Sequence, residues 1–109
     1  MKKLHRDFLT YQAKTTPYPL GIEIDHAKGS YVYDSSGKSY LDFVAGVSAC
    51  SLGHCHPNIV EAIKNQSERY LHVMVYGEFA QEPAVNLAKE LAQELPESLG
   101  VTYLVNSGT

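Results

Sequence analysis

The run Val101-Thr-Tyr-Leu-Val105 is apolar or β-branched on both faces and leads straight into Asn106-Ser-Gly-Thr109. A strand without a polar face belongs inside a sheet covered on both sides, the habit of parallel sheets. Parallel strands need long crossover connections, and those are usually helices. Five residues therefore call for an α/β architecture. A strand that enters a small glycine-containing turn ahead of a helix aims backbone N–H groups, and the helix dipole, at one point. That point suits a phosphate. The helix is expected where the sequence stops, so the chain reads as the front piece of a longer protein.

Upstream, Leu4, Phe8, Leu9 and Tyr11 recur at helical spacing and predict a short amphipathic helix over about residues 4–14. Thr15-Thr-Pro-Tyr-Pro19 forces extended chain, because proline cannot continue a regular helix. From Gly21 the period changes to two. Ile22 and Ile24 alternate with Glu23 and Asp25, His26-Ala-Lys-Gly29 predicts a turn, and Tyr31-Val-Tyr33 follows. Asp34-Ser-Ser-Gly-Lys38 predicts a second turn before Tyr40-Leu-Asp-Phe43. The reading is a three-stranded antiparallel meander, with Glu23 and Asp25 as its solvated face. Such a sheet needs something against one face to be stable.

Ala45 to Cys55 is small, glycine-rich and without a period. Pro57 suits the first position of a helix carrying Ile59, Val60, Ile63, Tyr70 and Leu71. After an irregular His72–Phe79 stretch, Pro83 opens another helix with a stripe of Ala84, Val85, Ala88, Leu91, Ala92 and Leu95. Pro96 ends it.

The 9 basic and 12 acidic side chains are scattered rather than clustered, which does not favour nucleic acid. No run approaches the ~20 apolar residues of a membrane helix, and the basic start lacks the apolar core of a signal peptide. Cys50 and Cys55 are too few for a disulfide scaffold. A cytoplasmic protein is the expectation.

Gly53-His-Cys-His-Pro57 invites a metal, since zinc takes imidazole and thiolate. The spacing argues against it. Adjacent His54 and Cys55 point apart, and no second ligand pair lies at finger-like distance. The simpler expectation puts His56 at a helix N-terminus and has His54 bonding backbone in a tight loop. No metal ligand is assigned. Ser51 and Ser107 lack a nucleophile-elbow context, and neither cysteine has an activating setting. A small phosphate-binding module and a zinc-stabilised interaction module (Cys50, His54, Cys55, His56) stand as the alternatives.

Four segments, in this order, carry a resemblance to a known family. They are Gly29-Ser-Tyr-Val-Tyr-Asp-Ser-Ser-Gly-Lys-Ser-Tyr-Leu-Asp-Phe43, Ala45-Gly-Val-Ser48, Gly53-His-Cys-His-Pro57 and Val105-Asn-Ser-Gly-Thr109. Together they resemble the N-terminal part of the class III (fold type I) pyridoxal-phosphate aminotransferases, which include the acetylornithine, ornithine and 4-aminobutyrate enzymes. The resemblance spans about residues 17–109.

It implies an α/β fold in two parts. Residues 1–56 correspond to the N-terminal part of a small domain, helix plus meander and loop. Residues 57–109 correspond to the start of the large cofactor domain, two helices and its first buried strand. It implies pyridoxal 5'-phosphate as cofactor, an amino-acid or amine donor, a 2-oxo acid acceptor and a homodimer. Ser107, Gly108 and Thr109 match the turn that holds the cofactor phosphate. Gly46, Val47 and Ser48 match the segment lining the substrate entrance, and Tyr76 falls where relatives contact substrate or partner subunit. The ornithine enzymes carry tyrosine where this chain has Val47. The Schiff-base lysine lies later in family members, and none of Lys2, Lys3, Lys14, Lys28, Lys38, Lys64 or Lys89 sits in its motif. No catalytic residue is assigned, and the 109 residues alone are expected to be inactive.

Overall fold

The computed structural model describes residues 3–74 and 77–107. It divides into two compact units, Met1–Arg69 and Tyr70–Thr109. The described residues form α-helices and one three-stranded antiparallel sheet, a mixed architecture as the sequence predicts.

In the first unit, α1 (Lys3–Tyr11) is followed by the meander β1 (Ile24–Lys28), β2 (Tyr31–Asp34) and β3 (Ser39–Leu41), in the order β1-β2-β3. Pairing of Lys28 with Tyr31 leaves only Gly29 and Ser30 to turn the chain. Two-residue hairpin loops need positive φ to match strand twist, and Gly29 supplies it at 57°. The strand thus runs through His26-Ala-Lys28, which the sequence reading placed in the turn. The cross-strand partners His26 and Tyr33 stack with ring centroids 4.4 Å apart, which favours the longer pairing.

The second turn is built on one carboxylate. Asp34 Oδ1 accepts the Ser36 hydroxyl and the backbone N–H groups of Ser36 and Lys38, while Oδ2 accepts the Tyr40 hydroxyl at 2.8 Å. These donors, Ser36 and Tyr40 foremost, hold the Asp34 carboxyl far below the usual carboxylate range.

Glu23 departs from the expected solvated face. It lies ahead of β1 and is half-buried, and its carboxylate accepts the backbone N–H of His5 at 3.1 Å and the Ser35 hydroxyl at 3.2 Å. The His5 ring sits against Gly21, with Nδ1 at 3.1 Å from the Gly21 carbonyl oxygen. α1 is fastened to the sheet entrance by these bonds rather than by a deep core. Among the described residues none is fully buried.

A single turn, α2 (Ala45–Ser48), leads to α3 (Pro57–Arg69). Pro57 opens α3 as expected, and His56 Nδ1 accepts the Asn58 N–H at 3.3 Å, satisfying one of the donors that a helix start leaves unpaired.

The second unit holds α4 (Glu82–Glu94) and a 3-10 turn (Glu97–Leu99). Proline stands near the helix start as predicted, and Ala84, Ala88, Leu91 and Ala92 of the predicted stripe are half-buried, whereas its two remaining members, Val85 and Leu95, are exposed. The predicted strand does not form. Val101–Val105 lies outside any strand, with Val101 95% and Tyr103 88% exposed. A strand exists only through its neighbours, and the described residues hold no partner for this one.

Candidate functional site

The segment Ala45–Ser48, which holds the expected substrate-facing residues, has an unusual backbone. Ala45, Gly46, Val47 and Ser48 all have positive φ, between 49° and 65°. Successive residues in this region form a left-handed turn, closed by Ser48 N–H to Val44 O at 3.0 Å and Cys50 N–H to Ala45 O at 2.9 Å. Only Gly46 adopts such φ freely. For Ala45, Val47 and Ser48 the conformation costs about 1–2 kcal/mol per residue. A turn of this kind persists only where its surroundings over-determine it, and such strain clusters at functional sites.

The surroundings are Asp42 and His54. Asp42 Oδ1 accepts the N–H groups of Val44 and Ala45, each at 3.0 Å, and so fixes the chain as it enters the turn. Asp42 Oδ2 accepts His54 Nε2–H at 2.7 Å. The two side chains are 16% and 20% exposed, which shields the bond from competing water. The hydrogen bond from His54 and those from Ala45 and Val44 hold the Asp42 carboxyl below its ordinary value, against the opposing effect of burial.

His54 is in turn anchored to the sheet. Its N–H donates to Gly29 O at 2.8 Å, and its carbonyl accepts Gly29 N–H at 3.0 Å, an antiparallel bridge between loop and hairpin tip. Asp42 N–H also donates to Ser30 O at 2.9 Å. The hairpin tip, the Gly-His-Cys-His-Pro loop and the left-handed turn are thus one hydrogen-bonded assembly. His54 bonds backbone as expected, but its side-chain partner was not visible in the sequence. The signal that could have found it is Asp42 itself, a carboxylate followed at once by a stretch with no period.

The site residues expected from the sequence are distributed as follows. Gly46, Val47 and Ser48 share the left-handed turn, and Val47 is 85% exposed. Ser107 is exposed in the second unit, with its hydroxyl 3.4 Å from Asn106 Oδ1. Tyr76, Gly108 and Thr109 lie outside the described residues. No group of three His, Cys, Asp or Glu side chains is assembled for a metal among the described residues. No described helix is long and apolar enough to cross a membrane.

The family model for aminotransferase class-III matches residues 11–109. The uncharacterised aminotransferase YodT of Bacillus subtilis is 40% identical over 95 residues, covering 87% of this chain and 20% of that protein. An acetylornithine aminotransferase of Methanopyrus kandleri is 42% identical over 82 residues, covering 75% and 21% respectively. Among solved structures, an adenosylmethionine-8-amino-7-oxononanoate aminotransferase of Methanocaldococcus jannaschii superposes with a TM-score of 0.72. It is 29% identical, over 86% of this chain and 23% of that one. The chain therefore spans about a fifth of the length of the curated relatives it matches. With the match running from residue 11 to residue 109 and through every motif singled out above, the chain belongs to the class III aminotransferase family.

Proposed function

We propose that this chain contributes the N-terminal portion of a pyridoxal-phosphate-dependent aminotransferase. That enzyme moves an amino group from an amino acid or amine to a 2-oxo acid. The carrying observation is the left-handed turn Ala45–Ser48, a strained and exposed backbone segment held in place by Asp42 and His54. Preorganised backbone of this kind suits a substrate-facing wall. Gly46, Val47 and Ser48 are the residues of that wall, with Tyr76 a further contact.

The cofactor phosphate falls to Ser107, Gly108 and Thr109. The hydroxyl of Ser107 and the backbone amides of a glycine turn are the donor types a phosphate takes, so the residue types fit the group. When bound, the cofactor supplies the electron sink for amino-group chemistry. The chain's own residues hold its phosphate and line the approach of the donor. None of its lysines serves as the Schiff-base residue, and the 109-residue polypeptide by itself does not turn over.

Residues 1–56 form part of a small domain and 57–109 the beginning of the large one, in a cytoplasmic homodimer. Where the ornithine enzymes resembled by this chain carry tyrosine, Val47 offers no phenol, so ornithine is a poor donor.

The test is an assay of the full-length protein carrying this chain, with added pyridoxal phosphate, against a panel of amino donors and 2-oxo acids. Parallel double-reciprocal plots, the mark of ping-pong transfer, are expected for at least one pair. Absence of transfer from every donor, with the cofactor bound, overturns the proposal.

A further inference from the structure

We infer that Asp42 and His54 act as a pair of positioning residues, locking the left-handed turn Ala45–Ser48 to the hairpin tip so that Gly46, Val47 and Ser48 present one fixed backbone to the substrate. The inference deepens the proposed function and rests on it for the role of the turn. The lock itself rests on geometry alone.

Asp42 divides its two oxygens between two tasks. Oδ1 accepts Val44 N–H and Ala45 N–H, the last two amides before the chain turns left-handed. Oδ2 accepts the His54 ring at 2.7 Å. The ring cannot drift, because the His54 backbone is bonded in both directions to Gly29. Gly53 makes that approach possible. A Cβ on Gly53 would stand 3.0 Å from Gly29 O and 3.1 Å from Gly29 Cα. Three consecutive constraints therefore run from sheet to substrate wall: Gly29 to His54, His54 to Asp42, Asp42 to the turn. Within the turn the backbone bonds are short-range, from Ser48 N–H to Val44 O and from Ala49 and Cys50 N–H to Ala45 O, and the external hold adds to them. Loss of the external hold is expected to release the turn while leaving sheet and α3 intact.

Neither side chain is placed on the reacting atoms, so the pair is expected to act on substrate binding rather than on chemistry. In the full-length protein, His54→Ala raises KM for the amino donor about tenfold, the value of one charge-assisted hydrogen bond, while kcat changes less than twofold. His54→Gln, whose side-chain amide can still donate to Asp42, restores most of the loss. Amide hydrogen exchange of the 44–50 peptide accelerates at least tenfold in His54→Ala, with the α3 peptide unchanged.

A further variant separates the lock from general damage. Ala45→Gly removes the left-handed cost at a residue outside the substrate wall, and in the His54→Ala background it is expected to slow exchange of 44–50 again. Unchanged exchange of 44–50 in His54→Ala overturns the inference, as does equal loss in His54→Gln and His54→Ala. If His54→Ala unfolds outright, the His54→Gln and Ala45→Gly proteins decide by the same exchange readout. Exchange is measured without substrate. A protein that shows the lock but no transamination refutes the functional proposal and leaves the positioning intact.

Discussion

Gly53 stands tight against the backbone of Gly29: a Cβ built on Gly53 lies 3.0 Å from the Gly29 carbonyl oxygen and 3.2 Å from its carbonyl carbon, closer than ordinary van der Waals contact. The obstacle is backbone, itself held by two hydrogen bonds to His54, and cannot swing away. Gly53 also has φ of 82°, which L-residues rarely adopt. Gly53→Ala is expected to lower stability by about 2–4 kcal/mol, combining left-handed strain with the clash. Denaturant unfolding of the full-length protein checks the figure. A loss below about 0.5 kcal/mol contradicts the contact.

Cys55 is a non-glycine residue at φ 53°, and it is exposed. Replacement by glycine removes the steric cost and adds back backbone entropy, so Cys55→Gly is expected to change stability by no more than about 1 kcal/mol, in the stabilising direction. Cys55→Val places a β-branched side chain where it fits worst and costs about 1–2 kcal/mol. Melting temperatures that rank valine above glycine sink this account.

The acid limb of stability is set in part by Asp34 and Asp42. Both carboxyls are held below their ordinary value in the folded chain, Asp34 chiefly by Ser36 and Tyr40 and Asp42 chiefly by His54. A depressed folded pKa stabilises the fold fully above the unfolded value, which is about 3.9 for aspartate. It loses that contribution as pH falls through the folded value. Stability is therefore expected to be insensitive to these two groups from pH 7 to about 5 and to fall below about pH 4. Asp34→Asn and Asp42→Asn each flatten that fall. Unfolding free energies measured from pH 7 to 2.5 read it, and an acid limb unchanged from wild type in both variants rules the assignment out.

Ser107→Ala removes one hydroxyl donor from the proposed phosphate turn. A hydrogen bond to a charged acceptor is worth about 1.5–3 kcal/mol, so cofactor affinity of the full-length protein is expected to drop about tenfold or more. Equilibrium dialysis against pyridoxal phosphate measures it.

Much apolar surface is open in this chain. Phe43 is 89% exposed, with Leu71, Val101 and Tyr103 similarly bare. Exposed apolar surface on this scale marks an interaction surface or an aggregation liability. The 109-residue polypeptide on its own is expected to associate at micromolar concentration. Light scattering at a single monomer mass across that range excludes the expectation.

The local features were legible. Gly29 and the Asp34–Lys38 segment announced the meander, Pro57 and Pro83 announced their helices, and the alanine stripe of α4 named its inner face. What escaped was set by distance along the chain. The pairing of Asp42 with His54 spans twelve residues, and the left-handed sense of Ala45–Ser48 follows from that pairing rather than from its own small side chains. Glu23 read as a solvated strand residue because its partners, His5 and Ser35, come from elements eighteen and twelve residues away. Val101–Val105 failed in the opposite sense. Its letters specify a strand, but a ladder is a property of pairs, and one member alone has no hydrogen bonds to make.

The turn at Ala45–Ser48 follows the mirror image of the ordinary chain, and that carries a consequence for chemical synthesis. For a D-amino acid the same φ is the relaxed state rather than the strained one. D-alanine incorporated at position 45 by peptide ligation would be at home where L-alanine is held under tension. The entry to the turn is thus a place where the protein tolerates inverted stereochemistry, and where handedness counts for more than side-chain size.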